Sequence, residues 1–257
     1  MGRAVPAVAR ALDILELFLE TPDASAPEIT ERLGLPRTTV HELVTTLAAR
    51  SYLMPVPGAP TRYRLGLRLF LLGSSFAERL DLTGEAQVMA RETAAACDET
   101  VHVALLEGTE VVYIAKVDST HPVRMVSAVG RRLPAHCTGV GKMLLSGLSQ
   151  EVLDTRYPRH QELPAMTPRS ITSPRKLRAH LVEVRAAGVA FDDCESNDAV
   201  HCVAAPVYES SGAMVAGMSI SVPNIRWDDQ RRAEWTELVR AGAAALSQRL
   251  GYRPATG

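Results

Sequence analysis

A run of polar side chains between residues 37 and 42 has the types and spacing that recognise double-stranded DNA. Arginine, threonine and histidine donate hydrogen bonds to phosphates and base edges, and glutamate accepts one from a cytosine amine. Such side chains act together when they share the exposed start of one helix. We therefore predict DNA contacts from five residues: Arg37, Thr38, Thr39, His41 and Glu42.

The flanking residues place this run on the second of two helices joined by a tight turn. Ile29 and Leu33 are spaced for one side of the first helix. The apolar residues of the second helix follow the i, i+3, i+4, i+7 spacing: Val40, Leu43, Val44 and Leu47. Gly34 can end the first helix in the left-handed conformation. The pattern predicts a helix-turn-helix at about residues 26–45, and an ordinary helical hairpin with a glycine corner has the same pattern.

A predicted pair of short strands follows this motif. Residues 54–60 contain three prolines and Gly58, which exclude helix and favour a turn. Beyond the turn, Tyr63 alternates with Arg62 and Arg64 as in an edge strand. Strands in this position form a wing, and both arginines then reach phosphate or a minor groove. A solvated edge that blocks strand aggregation is the alternative interpretation.

The charge balance gives no sign of a strong positive field. The chain carries a formal net charge of −1, and residues 1–66 hold seven arginines against seven acids, with no lysine. A neutral module is expected to bind DNA with modest affinity, so several modules must share one operator. We therefore expect a homodimer or homotetramer on a pseudo-palindromic double-stranded DNA operator.

Length and composition favour two domains that do not cross a membrane. The 257 residues are 46% hydrophobic and 22% charged, which suits a chain with substantial cores. No apolar run approaches the ~20 residues of a membrane span, and the first residues lack a signal-peptide stretch. The four cysteines form no paired-cysteine motif. We expect a cytoplasmic protein.

The predicted order is a winged helix-turn-helix domain at 1–66, a linker helix at 67–82 and a larger domain at 83–257. The first helix is expected at about Val5–Glu20. One of its sides carries four apolar residues: Val8, Leu12, Leu15 and Leu19. The linker segment is too apolar for a solvated connection, so it packs either on a neighbouring subunit or on the second domain.

Strands and helices of the larger domain do not alternate strictly, which indicates an α+β domain around an antiparallel sheet. Strands are expected at 100–106, 111–115, 123–128, 189–191, 203–208 and 214–222. Helices are expected at 84–99, from Gly139, at 149–156, at 173–187 and at 228–250.

Three segments of this domain concentrate polar groups among apolar strands. A glycine-bearing loop that leads into a helix at Gly139 and Val140 offers free N–H groups to a carboxylate. We predict an effector pocket from six residues: Gly139, Val140, Asp192, Cys202, Ser219 and Ser221. The alternative is structural, since glycines shape helix entries and buried cysteines usually act as small hydrophobes.

The chain resembles the IclR-type transcriptional regulators over almost its whole length. The resemblance rests on six segments: Val8-Ala-Arg-Ala-Leu-Asp-Ile-Leu15, Leu33-Gly-Leu-Pro-Arg-Thr-Thr-Val-His41, Tyr63-Arg-Leu-Gly66, Pro134-Ala-His-Cys-Thr-Gly-Val-Gly-Lys142, Phe191-Asp-Asp-Cys-Glu195 and Cys202-Val-Ala-Ala-Pro206. It implies a winged helix-turn-helix, a GAF-like effector domain and homodimers that pair into tetramers. It also implies that the protein responds to a small metabolite as its effector. The implied function is regulation, as a repressor, of a metabolic or catabolic operon. Matched by position, the family's effector contacts fall on the same six residues.

The sequence departs from the family pattern at four places. Thr30 replaces a common alanine in the first helix of the motif, and Glu42 replaces a common arginine. In the larger domain, Cys194 replaces a common acid, and Ala199-Val200-His201 replaces a common Gly-x-Arg. These changes make one rim of the pocket less charged, so the resemblance implies no particular effector.

Two rival functions remain open on the sequence. An enzyme would use Cys137 or Cys202 as nucleophile beside His136, His201 or His102, but no nucleophile turn is recognisable. A metal-responsive regulator, or a small-molecule-binding protein with a zinc site, would use Cys137, Cys194, Cys202 and a histidine, at spacings that match no standard site. We therefore predict no catalysis, no cofactor and no metal.

Overall fold

The structure, a computed structural model, describes residues 5–79, 81–123 and 127–253, and leaves the side chains of 76–79 and 81 undescribed. The chain divides into two compact units, Met1–Leu80 and Asp81–Gly257. No helix in the described ranges is both long and apolar enough to cross a membrane.

The first unit is a winged helix-turn-helix, as predicted. Its elements are α1 (Pro6–Leu17), β1 (Ala24–Ser25), α2 (Ala26–Leu33), α3 (Arg37–Ala49), β2 (Leu53–Val56), β3 (Ala59–Leu65) and α4 (Leu67–Arg79). Gly34 ends α2 at φ 63°, in the left-handed region that favours glycine. The wing strands β2 and β3 pair antiparallel around Gly58, and β3 also pairs with β1, which sequence analysis missed.

The core of this unit forms where α1, α2 and α3 meet. Ile14, Ile29 and Val40 are fully buried there. The side of α1 predicted to be apolar instead carries exposed residues: Val8, Leu12 and Leu19 are exposed, and Leu15 is half-buried. The helix has two apolar sides, because Ile14, Leu17 and Phe18 also follow helical spacing, and the tighter set packs inward.

The second unit is an α+β domain around a six-stranded antiparallel sheet, in the order β6-β5-β4-β9-β8-β7. Its strands are β4 (Thr100–Glu107), β5 (Glu110–Val117), β6 (Arg132–Pro134), β7 (Ala190–Asp193), β8 (Val200–Tyr208) and β9 (Met214–Pro223). Its helices are α5 (Asp81–Cys97), α6 (Gly139–Ser146), α7 (Gln150–Arg156), α8 (Pro174–Ala187) and α9 (Asp229–Arg249).

The strand predicted at 123–128 is wrong for the residues of this segment that the structure describes. Val123 lies in a bend after Pro122, and residues 127–128 are not in a strand; residues 124–126 lie outside the described ranges. The edge strand is β6 instead, where Leu133 pairs with Val111. A three-residue strand leaves too short a pattern for periodicity to detect.

Helix α6 lies against the sheet at a close approach that requires glycine. A Cβ added to Gly217 on β9 would lie 2.7 Å from Cγ2 of Val140 on α6. A Cβ on Gly141 would lie 2.3 Å from the carbonyl oxygen of Ala135. The start of α6 is therefore fixed above the centre of the sheet, beside β7, β8 and β9.

Candidate DNA-binding surface and effector site

Helix α3 presents a polar face whose side chains have no partners. Arg37, Thr38, His41 and Glu42 are exposed and Thr39 is half-buried, whereas Val40 on the opposite side is in the core. The side chains of Arg37, His41 and Glu42 make no hydrogen bond or ion pair within the described residues. This face is therefore available to an external partner.

The first turn of α3 adds unsatisfied backbone donors to this face. Pro36 precedes the helix and supplies no side-chain cap, so the first N–H groups have no side-chain acceptor. Open N–H groups and the positive end of the helix dipole favour an anion such as a phosphate.

The two wing arginines are in different situations. Arg62 is already paired: its Nε lies 2.5 Å from Oδ1 of Asp23 and its Nη1 lies 3.0 Å from Oε2 of Glu28. Arg64 is exposed and has no partner among the described residues. A DNA contact by Arg62 must compete with two carboxylates, whereas Arg64 is free to make one.

Glu28 joins Arg62 to the start of α2. Its Oε2 accepts hydrogen bonds from the backbone N–H of Ser25 (2.7 Å) and from the hydroxyl of Ser25 (2.8 Å). These bonds, together with Arg62, lower the pKa of Glu28 to about 2. Arg62 thus ties the wing to the first helix of the motif.

The six predicted effector residues are all buried in the second unit, and the structure brings them close to one another. Gly139 packs against Asp192 and Cys202, since a Cβ there would lie 3.4 Å from the Asp192 nitrogen and 3.5 Å from the Cys202 Cβ. The thiol of Cys202 donates to the hydroxyl of Ser221 at 3.2 Å. Ser219 lies on the same strand as Ser221.

Asp192 is satisfied by its own loop. Its Oδ1 accepts from the backbone N–H of Glu195 (2.6 Å) and of Ser196 (3.3 Å), and its Oδ2 accepts from the hydroxyl of Ser196 (2.5 Å). Burial raises the pKa of Asp192 to about 6, even though the bonds from Ser196 and Glu195 oppose the shift. An effector that binds Asp192 must therefore replace bonds that already exist.

A buried ion pair supports this loop. The ammonium of Lys142 on α6, which is fully buried, contacts Oε1 of Glu195. The second carboxylate oxygen, Oε2 of Glu195, is buried and has no hydrogen-bond partner in the part of the chain that the structure describes. Sequence analysis had not used Lys142 beyond noting it in the family motif, because burial of a lysine has no signal in periodicity.

His102 is a central residue that sequence analysis considered only as a catalytic base. Its Nδ1 lies 3.3 Å from the hydroxyl of Ser221 and its Nε2 lies 2.8 Å from the hydroxyl of Ser127. Its ring stacks on Tyr113 at 4.5 Å between centroids. Burial lowers the pKa of His102 to about 3, so the ring is neutral, with one nitrogen donating and the other accepting. The place of His102 beside the serines of β9 follows from strand register, because His102 on β4 pairs with Ser219 on β9.

A cavity of about 460 Å³ lies next to this network. Its lining consists of Tyr113, Val123, Ser127, Arg131, Leu133, Ser196, Asn197, Ala199, Val200 and Pro223. The described lining includes none of the six predicted residues. It reaches Asp192 through Ser196, and it reaches Ser221 through Ser127 and His102, since His102 lies between the two serines. Asp192, Ser221 and Cys202, which bonds Ser221, thus lie behind the cavity wall.

The cysteines considered as nucleophiles make no hydrogen bond from their thiols to a histidine within the described residues. Cys137 donates to the carbonyl oxygen of Pro134 at 3.4 Å, and His136 bonds the carbonyl oxygen of Pro164. Burial raises the pKa of the Cys137 thiol to about 12 and that of Cys202 well above its usual value. Both groups stay protonated thiols at neutral pH.

The four-residue zinc site considered from the sequence does not form within the described residues. Cys137 and Cys202 belong to separate contacts, with Pro134 and with Ser221. Cys194 lies instead beside Asp193 and His201, the one group of three potential metal ligands found in the described ranges.

Comparison with known proteins identifies both units. Residues 7–57 match the family described as IclR helix-turn-helix domain, and residues 74–248 match the family described as Bacterial transcriptional regulator IclR C-terminal. The HTH-type transcriptional regulator KdgR of Escherichia coli is 31% identical over 249 residues, which cover 97% of this chain and 94% of that protein.

Solved structures agree with these matches. The IclR of Thermotoga maritima superposes with a TM-score of 0.78 at 28% identity, covering 96% of this chain and 99% of that one. An IclR homolog from Microbacterium hydrocarbonoxydans, complexed with 4-hydroxybenzoate, gives a TM-score of 0.84 at 25% identity, covering 95% and 98%. This chain therefore belongs to the IclR family of ligand-responsive, DNA-binding transcriptional regulators.

Proposed function

We propose that this regulator represses a metabolic or catabolic operon by inserting α3 into the major groove of a pseudo-palindromic operator. The observation that carries the proposal is the unpartnered polar face of α3 with its open N-terminal N–H groups. Arg37 and the free N–H groups contact phosphate, while Thr38, His41 and Glu42 contact base edges. Arg64 on the wing adds a contact to the backbone or the minor groove.

The proposed effector is a small organic acid that occupies the 460 Å³ cavity. The cavity lining combines the basic residue Arg131 with the polar residues Ser127 and Asn197 and with the apolar residues Leu133 and Val200. Arginine binds a carboxylate with two parallel hydrogen bonds, and apolar walls hold the carbon skeleton. The relative that is complexed with 4-hydroxybenzoate supports this ligand class.

The six predicted residues are proposed to respond to the effector from behind the wall. A ligand that bonds Ser196 or Ser127 removes a partner from Asp192 or from His102, respectively. The ligand shifts operator affinity only if it binds one arrangement of the protein more tightly than another.

We further propose that the chain acts as a homodimer, or as a homotetramer built from it, with α4 at the contact between copies. Leu67, Phe70 and Leu71 follow helical spacing on α4, and all are at least half exposed within one chain. A second copy that covers them would remove this apolar surface from water. Phe70→Glu should shift the mass measured by light scattering to a smaller assembly. Val182→Glu, at an exposed apolar position on α8, is the matched control and should leave the mass unchanged.

We also propose that the protein catalyses no reaction, requires no cofactor for operator recognition and acts in the cytoplasm, where operator DNA resides. The first statement is supported by the thiols of Cys137 and Cys202, which are protonated and make no hydrogen bond to a histidine within the described residues.

The test first uses the purified protein to select the fragments that it binds from genomic DNA of the source organism. It then asks which small molecules release those fragments. Fragments that share a palindromic sequence support operator recognition. The complex is next titrated with 4-hydroxybenzoate and with a panel of aliphatic and aromatic carboxylates, each beside its neutral amide. We expect at least one acid, and not its amide, to change operator affinity. Fragments without a common sequence would refute the proposal.

A further inference from the structure

A second cluster of polar groups lies at the ends of the segment 194–201, outside the network described above. Sγ of Cys194 lies 3.5 Å from Nε2 of His201 and 3.3 Å from Oδ1 of Asn224. On the other side of the ring, Nδ1 of His201 lies 2.9 Å from Oδ1 of Asp193. The thiol therefore contacts both an imidazole and an amide oxygen, and a carboxylate contacts the far side of the imidazole.

Each member of the cluster is held in position. His201 and Asp193 face each other across β8 and β7, and the ring of His201 stacks on Trp227 at 4.6 Å between centroids. Asn224 donates from Nδ2 to the carbonyl oxygen of Asp198 at 2.7 Å, which directs its Oδ1 towards the thiol. Cys194 is buried and has φ 59°, a left-handed conformation that residues other than glycine adopt rarely.

The distance between the Cys194 sulfur and the His201 nitrogen matches that of two atoms bound to one metal ion. Bonds of about 2.3 Å to sulfur and about 2.0–2.1 Å to nitrogen, at a tetrahedral angle, separate the two ligand atoms by roughly 3.5 Å. This is the observed distance between Cys194 Sγ and His201 Nε2. A carboxylate that accepts from the second nitrogen of a metal-binding histidine is the usual supporting contact, and Asp193 supplies it.

We propose that Cys194 and His201 bind a divalent transition-metal ion of the Zn²⁺ type, with Asn224 as a third ligand and water completing the coordination. Asp193 is a positioning residue that fixes the tautomer of His201. On binding, the thiol of Cys194 releases its proton to solvent and the thiolate takes its place on the metal. No oxidation or reduction is involved.

Two features of the chain support a metal site at Cys194 and His201. Cys194 and His201 lie in contact although they are seven positions apart in the chain. The segment between them supplies Ser196, Asn197 and Val200 to the cavity wall. A bound ion would therefore clamp both ends of that wall.

Titration with Co²⁺ tests the site in the full-length, reduced protein after removal of metals with a chelator. We expect one Co²⁺ per chain, a thiolate-to-cobalt charge-transfer band, and displacement by Zn²⁺. Cys194→Ser should abolish the band. His201→Ala should weaken binding by at least about a hundredfold, and Asp193→Asn by about 10- to 100-fold while the band persists. Cys97→Ser is the matched control, because Cys97 is buried and the hydrogen bonds of its thiol among the described residues go to the Ala94 and Glu99 carbonyls.

If Cys194→Ser does not fold, X-ray absorption spectroscopy of the unmodified protein loaded with Zn²⁺ identifies the atoms bound to the metal. One sulfur and at least one imidazole in the first shell would support the site. A shell of nitrogen and oxygen only, no binding of Co²⁺, or a band that survives Cys194→Ser would overturn it. These outcomes are independent of operator and effector binding.

Discussion

The polar residues of the two units differ in whether they already have partners. On α3, the side chains of Arg37, His41 and Glu42 are exposed and have no partner in the described ranges. In the second unit, Asp192 and His102 are buried and every bond they need comes from neighbouring residues. The first arrangement can receive a partner without internal change, while the second must exchange bonds to receive one.

This difference explains how one chain serves recognition and response. An open, preorganised face loses little conformational freedom on binding DNA, which suits a surface that reads sequence. A closed network in which a ligand would have to replace existing bonds suits a switch, because interfaces and packed cores that can adopt two arrangements give discrete states. The predictions below test the contrast, from the largest expected effect to the smallest.

Removal of the buried ammonium should give the largest effect. Lys142→Met leaves the buried carboxylate of Glu195 without its partner, and we expect the free energy of unfolding to fall by about 3–5 kcal/mol. Urea denaturation measures the loss. Arg159→Ala, which breaks an exposed pair with Asp154, should cost less than about 1 kcal/mol. Equal losses of unfolding free energy in the two variants would contradict the claim that Lys142 and Glu195 form a buried pair.

Removal of an open side chain should weaken operator binding and spare the fold. Arg37→Ala is expected to cost about 1–3 kcal/mol of operator affinity, measured by fluorescence anisotropy, with an unchanged unfolding transition. Arg175→Ala, at an exposed position on α8, is the control and should bind like the unmodified chain. A loss of stability in Arg37→Ala would mean that α3 is not open.

The pH dependence of stability should report the burial of Asp192. Its pKa is about 6 in the folded chain against 3.8 for an ordinary aspartate, so the folded state holds the proton longer. Its contribution is present below pH 3.8 and is lost as the pH rises towards 6. The unfolding free energy of the unmodified chain should therefore decline across that window relative to Asp192→Asn. Parallel curves would show that the carboxyl is not buried as described.

The two wing arginines offer the finest comparison. Arg64→Ala should lower the slope of log affinity against log salt by about one, because one phosphate contact is lost. Arg62→Ala should mainly loosen the first unit, since Arg62 is paired with Asp23 and Glu28. The stability that this network gives is present above pH 4.5 and is lost as the pH falls towards 2, the pKa of Glu28. A larger salt effect in Arg62→Ala than in Arg64→Ala would reverse the assignment.

The sequence predicts well the features that depend on local pattern. Gly34, the spacing of Val40 and Val44, and the prolines around Gly58 are enough to predict the motif and the wing, because each determines the conformation of its own segment. The choice between two apolar sides of α1 is not local. It depends on which set fits α2 and α3, and exposed Val8 shows that periodicity alone does not decide it.

The candidate site is predictable only in part for the same reason. Glycine at 139 and alternating serines at 219 and 221 are visible in the sequence. The roles of His102 and Lys142 depend on strand register and on burial, which link residues far apart in the chain. The contact between Cys194 and His201 likewise requires β7 to pair with β8.

Fluorescence anisotropy on full-length protein tests the central claim, that the open face of α3 reads operator sequence, most directly. The unmodified chain and the double variant His41→Ala/Glu42→Ala, which removes two of the proposed base contacts, are each titrated with a selected genomic fragment and with a scrambled duplex at physiological salt. The account predicts a preference of about a thousandfold or more for the selected fragment, and its collapse in the double variant. Equal affinity of the unmodified chain for both duplexes, or an intact preference in the variant, would contradict it.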